Sequence, residues 1–110
     1  MTCSLSAWAG EVSVIKASAR GQGGGLWTFS VTLRHADTGW EHYANAWDVR
    51  TPDGQVLGKR VLYHPHVDEQ PFTRSLAGVA VPEELSEVVI FGHDSVHGAS
   101  EEGYVLRLSR

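Results

Sequence analysis

Six histidines stand in this sequence of 110 residues: His35, His42, His64, His66, His93 and His97. Imidazole carries protons near neutral pH and binds transition metals, so the spacing of these rings is where chemistry could start. In extended backbone residues i and i+2 point the same way, and His64-Pro65-His66 can therefore turn two ring nitrogens toward one ion. His93 and His97 flank Asp94-Ser95-Val96 and could supply a third ligand if that strand end lies beside the His64 loop. The metal-ligand candidates are thus His64, His66, His93 and His97, with Asp68, Glu69 and Asp94 as a further ligand or as the carboxylates that fix the tautomers. Imidazole-rich ligation favours copper, zinc or nickel over calcium, and it weakens as pH falls through about 6.5. The plainer reading is that polar loops collect His, Asp and Glu because these residues are soluble and hydrogen-bond turn backbone. On that reading His35 and His93 are core-edge histidines at strand ends, and no cofactor is required.

A second constellation is Asp68-Glu69-Gln70-Pro71-Phe72-Thr73-Arg74-Ser75, which mixes carboxylates with one arginine. A salt bridge from Arg74 to Glu69 or Asp94 would pin a long loop to the body of the fold. Its functional counterpart is an anion or peptide carboxylate held by Arg74, with Tyr63 and Phe72 as apolar walls. The candidate binding loop is therefore Tyr63, Asp68, Glu69, Phe72 and Arg74. Catalysis has less behind it. His93, Asp94 and Ser95 are neighbours along a strand and point to alternate faces, so Asp94 could not orient His93. No Gly-x-Ser-x-Gly elbow and no His-Glu-x-x-His pair is present.

The elements that must position these groups have a period of two. Trp27, Phe29, Val31 and Leu33 share one side of the segment 26–36, with Thr28, Ser30, Thr32 and Arg34 on the other, and the same phase puts His35 on the apolar side. Further strands are expected at 11–19, 43–50, 55–63, 72–81, 87–95 and 104–108, separated by Gly, Pro and Asp turns. The glycine cluster 21–25 reads as a flexible hairpin loop, because no Lys-Ser/Thr follows it as a phosphate cradle would need. Pro52 and Gly54 make Thr51-Pro52-Asp53-Gly54 a turn. Seven short strands in one chain of this size predict an all-β, antiparallel two-sheet β-sandwich of immunoglobulin or fibronectin-III type, with Trp47 buried between the sheets.

Composition narrows the partners. Nine Lys+Arg against 13 Asp+Glu give a net charge of −4, with the basic residues scattered singly, which argues against nucleic acid. No apolar run approaches the ~20 residues of a membrane-spanning helix. Residues 1–10 read as a flexible segment before a single domain at 11–110. Ala7-Trp8-Ala9 has the small-x-small look of a signal-peptidase site without the segments that should precede it. The location expected by default is cytoplasmic, and periplasmic or secreted if residues 1–9 are the remnant of a signal peptide.

The stretch from Leu33 to about Gly98, and above all the block HPHVDEQPFTRSL, resembles a family of small uncharacterised bacterial proteins. The resemblance implies an immunoglobulin-like sandwich and carries over no activity. The functional expectation is a non-catalytic module that binds another protein or a ligand, with a histidine-rich domain for copper, zinc or nickel as the alternative and a hydrolase well behind.

Overall fold

The turns predicted from glycine, proline and aspartate divide the chain into antiparallel strands, as a computed structural model describing residues 12–109 shows. The expectations for residues 1–10 lie outside the described residues. The strands are β1 (Ser13–Gly23), β2 (Leu26–Arg34), β3 (Ala44–Arg50), β4 (Val56–Val61), β5 (Phe72–Ala80), β6 (Glu87–Asp94), β7 (Gly98–Ala99) and β8 (Tyr104–Arg107). Three of them form one sheet in the order β1-β2-β5, and five form the other, β4-β3-β6 with β7 and β8 both pairing β6. The two sheets make the expected all-β sandwich. The described residues hold no helix long and apolar enough to cross a membrane.

Alternation builds the core. Along β2 the side chains of Trp27, Phe29, Val31 and Leu33 are buried, while Thr28, Ser30 and Thr32 are half-buried on the opposite face. Val49, Val88 and Ile90 from the second sheet meet them, around a Trp47 that is 0% exposed. Burying a residue of that size is among the largest single contributions a core can hold. β6 places Val88, Ile90, Gly92 and Asp94 inward, and its outward residues Val89, Phe91 and His93 are half-buried.

Two details depart from the expected strands. β1 runs on into the glycine cluster, with Gly21 paired to Trp27 and Gly23 to Leu26, so the flexible loop shrinks to a tight hairpin. Gly24 and Gly25 take φ of 66° and 82°, a left-handed backbone that favours glycine there. The segment 96–103, expected as a polar loop, contains the short β7, whose Gly98 and Ala99 pair with Asp94 and His93. That pairing holds the β6–β7 turn against the end of the sheet.

Topology brings several loops to one end of the sandwich. The segment after β2, the entry to β3, the loop after β4 and the turn after β6 all meet there. The backbone amide of Leu62 donates to Asn45 at 2.9 Å, and that of Ser95 donates to Tyr43 at 2.9 Å. Five of the six histidines, all but His93, contact one another or shared partners at that end.

Candidate metal centre

His35 leaves β2 on the buried side, as its phase predicts, and is 3% exposed. Its Nδ1 lies 2.6 Å from Oδ1 of Asp37, two residues on. Asp37 is itself fixed from three directions. Its Oδ1 also accepts the Ala44 amide at 3.1 Å, and its Oδ2 accepts the His66 amide at 2.7 Å. Gln70 ties the same loop down, accepting the His35 amide at 3.0 Å and donating to the His66 carbonyl at 2.8 Å. A neutral His35 that donates from Nδ1 has a bare lone pair at Nε2, and the carboxylate behind it orients the ring.

That lone pair meets His42. The turn Thr38-Gly39-Trp40-Glu41 reverses the chain through a bridge between Gly39 and His42, with Gly39 at φ 139°. His42 Nε2 comes to 3.2 Å from His35 Nε2 and 3.3 Å from Oδ1 of Asp94. Asp94, at the end of β6, is 2% exposed. Its Oδ1 accepts the amides of Val96 at 2.9 Å and His97 at 2.6 Å, and His97 Nδ1 lies 3.1 Å away. Burial pushes the Asp94 carboxyl up, but the His97 and Val96 amides and the His97 ring outweigh it, so the group sits below the ordinary carboxylate range.

The result is a triangle of donor atoms from three segments distant in sequence, His35, His42 and Asp94, all within 4.8 Å of one another. Zinc bonds of about 2.0–2.1 Å at tetrahedral angles put neighbouring ligand atoms about 3.3–3.4 Å apart, and the separations of 3.2 and 3.3 Å fit that spacing. The proton count points the same way. With His35 donating to Asp37 from Nδ1, its Nε2 and Asp94 Oδ1 both accept at His42 Nε2, and one N–H can serve two acceptors only poorly. One cation can serve all three.

Among the described residues this is the group of three or more such donors that gathers, and it differs in membership from the set expected from spacing. Of that set, His97 stands beside the triangle. His64 is exposed, with its ring 5.2 Å from that of His66. His66 is 7% exposed and stacks on Phe72 at 4.0 Å, and its Nε2 accepts from Arg74 at 3.0 Å. Burial, Arg74 and His64 hold its basicity below the usual imidazole value. His93 points to the other face of the sheet and binds Asp48 at 2.6 Å.

The candidate binding loop separates in the same way. Tyr63 is 76% exposed, and Asp68 is also exposed. Phe72 is buried at 2%, so it is a core residue beneath His66 instead of an open apolar wall. Arg74 pairs with Glu69 at 3.2 Å, the first of its two expected partners. The HPHVDEQPF block is thus the backing of the cluster: its His66 amide and Gln70 side chain hold Asp37 and His35.

His35 and His42 escaped the spacing argument because His35 read as a core-edge histidine and His42 had no close histidine neighbour. The signal that marks them is the buried phase of His35 together with Asp37 at i+2.

Comparison with known proteins adds one relative. The chain is 42% identical over 96 residues to a protein of Halomicrobium mukohataei described as a "putative lipoprotein". The match covers 87% of this chain, which spans 47% of the length of that relative. No family model matches the chain. No solved structure matches it.

Proposed function

We propose that this domain binds one divalent transition-metal ion, with zinc and copper as the chemical class, through His35 Nε2, His42 Nε2 and Asp94 Oδ1. The observation that carries the reading is the convergence of three acceptor-capable atoms at ligand spacing, with Asp37 behind His35. Two imidazoles and a carboxylate suit zinc, copper or nickel better than calcium, which prefers an all-oxygen shell. The ligands come from both sheets: His35 follows β2 of one, and Asp94 ends β6 of the other. A bound ion therefore staples the sandwich at one end.

Equilibrium dialysis of untagged protein against Zn2+ and Cu2+ tests this directly. One equivalent per chain is expected, lost in both His35→Ala and His42→Ala. Wild-type protein that retains no metal at micromolar concentrations would overturn the reading.

A second reading rests on exposure at the same end, where Trp40 is 67% and Tyr63 76% exposed. Large aromatics left in water beside a site favour a protein partner docking there. Loss of partner capture on replacing Trp40 and Tyr63 together by Ser would support it. The strand order β1-β2-β5 against β4-β3-β6-β8 supports a fibronectin-III-like arrangement, one variant of the immunoglobulin-type sandwich. A location in the cell envelope or outside the cell is supported by the description of the relative.

A further inference from the structure

His97 lies against the triangle without belonging to it. It sits in the turn between β6 and β7, three residues after Asp94, with Nδ1 3.1 Å from Oδ1 and 3.2 Å from Oδ2 of that carboxylate. Its ring centroid is 5.1 Å from that of His42, with the planes tilted by 53°. It falls outside the group of atoms within 4.8 Å of one another, so its nitrogens do not yet reach the common point.

Burial shows which side of the triangle is open. The side chains of His35 and Asp94 are 0% and 1% exposed, His42 is 24% exposed, and His97 is 42% exposed. Three ligands within 4.8 Å of one another, two of their edges at tetrahedral spacing, define one face, and the fourth corner of a four-coordinate ion then points toward its more exposed side. His97 is the donor standing on that side.

The turn that carries it is anchored and the ring is not. The amides of Val96 and His97 both donate to Asp94, and Gly98, at φ 74°, reverses the chain into β7. The ring itself is partly exposed and meets Asp94 at 3.1 and 3.2 Å and the tilted His42 ring at 5.1 Å. On this reading the ring nitrogen, 3.1 Å from Asp94 Oδ1, turns from the carboxylate toward an ion bound between His35, His42 and Asp94.

We propose that His97 is the fourth ligand and closes the site when metal binds, giving a three-imidazole, one-carboxylate centre. The inference rests on the His35–His42–Asp94 reading and deepens it. A four-coordinate centre without an open position holds its ion and has no place for a substrate or an attacking water, in contrast to catalytic zinc, which keeps a water. The domain is therefore a metal-holding module.

Cobalt(II) distinguishes the outcomes, because four-coordinate cobalt absorbs visible light far more strongly than cobalt with extra water ligands. Apo wild-type protein, His97→Ala, His97→Gln and His35→Ala are titrated with Co2+ and followed by visible absorption and calorimetry. The near-ultraviolet circular dichroism of each variant confirms that the sandwich is intact. Expected are one Co2+ and an intense band in wild type, and in both His97 variants an affinity lower by about tenfold or more with a weak band. The glutamine can still donate to Asp94 but cannot replace an imidazole ligand. Full recovery in His97→Gln would show that His97 only positions Asp94, and would overturn the inference. Wild-type behaviour in His97→Ala with no binding in His35→Ala would overturn it while the three-donor reading stands. Absence of binding in the wild type would remove both.

Discussion

Two histidine–carboxylate pairs in this molecule have the same 2.6 Å contact and opposite potential. His35 meets Asp37 at the end of the sandwich, and His93 meets Asp48 on the outer face of the five-stranded sheet. Asp48 is saturated: Arg50 reaches it with Nε at 2.8 Å and Nη2 at 3.1 Å, while His93 takes the second oxygen. Arg50 in turn lies over the Phe91 ring at 4.3 Å. Every strong partner at that cluster is spent within it. At the other, the carboxylate occupies one nitrogen of His35, the second lies 3.2 Å from His42 Nε2, and that atom is 3.3 Å from Asp94 Oδ1. Both clusters hold buried carboxylates, and the difference lies in the gathering: the second brings together His35, His42 and Asp94 from three segments distant in sequence. A closed ion pair stabilises, and the proposed site is the place where imidazoles and a carboxylate meet.

The largest effect separates the two by ligand binding. Replacing His35 with Ala removes one of three donors and should lower zinc affinity at least a hundredfold in calorimetry. His93→Ala should leave it within about twofold, since His93 faces the other side of the sheet. Equal losses in the two variants would erase the distinction. Metal should also stabilise the folded chain, by about 2.7 kcal/mol when free zinc is a hundredfold above its dissociation constant. That increment should survive His93→Ala and vanish in His35→Ala, measured as the metal-dependent shift in urea midpoint.

Stability separates them in the reverse sense. Asp48 is 2% exposed, and taking it away strands Arg50 and His93 without their carboxylate. Asp48→Ala should cost about 3 kcal/mol in urea unfolding, in line with breaking other buried pairs. The pH dependence has a defined sign. Burial opposes ionisation of Asp48, but hydrogen bonds from His93 and Arg50 outweigh it and hold the carboxyl below its ordinary value. A depressed carboxylate contributes its stability above the unfolded value of about 3.9 and loses it progressively as pH falls below that. Wild type should therefore weaken on acidification below about pH 4, and Asp48→Asn should lack that part of the slope. A parallel slope in the variant would show that other carboxylates carry it.

The contrast between the clusters was only partly legible in the sequence. Period-two alternation placed Trp27 to Leu33, the buried Trp47 and the buried phase of His35, because the side-chain direction along a strand is local geometry. Asp94 was recognisable as a possible ligand. Its meeting with His42 depends on β3 and β6 lying side by side, a contact across 52 positions that no local spacing encodes. The same non-local pairing put Asp48 beside His93, so a residue read as a possible ligand became a hydrogen-bond partner of a carboxylate. The His64-Pro65-His66 spacing misled for the complementary reason. The two rings do approach to 5.2 Å, but with one stacked on Phe72 and the other facing water they gather no third donor among the described residues.

The smallest effect tests how far the backing loop matters to the open cluster. Arg74 and Glu69 meet at 3.2 Å with side chains 30% and 58% exposed, a geometry worth about 0.2–1 kcal/mol at most. Glu69→Gln should therefore change unfolding by no more than that, and zinc affinity not at all. Arg74 also donates to His66, whose backbone amide holds Asp37 behind His35. Arg74→Ala releases the His66 ring, yet the amide contact to Asp37 and the Phe72 stack remain to hold the loop. Its expected cost is about 1 kcal/mol, with a zinc affinity within about threefold of wild type. A tenfold loss of affinity in Arg74→Ala with none in Glu69→Gln would show that the His66 ring, and not its backbone alone, sets the aim of His35. The open cluster would then depend on a chain of contacts as fully committed as the one around Asp48.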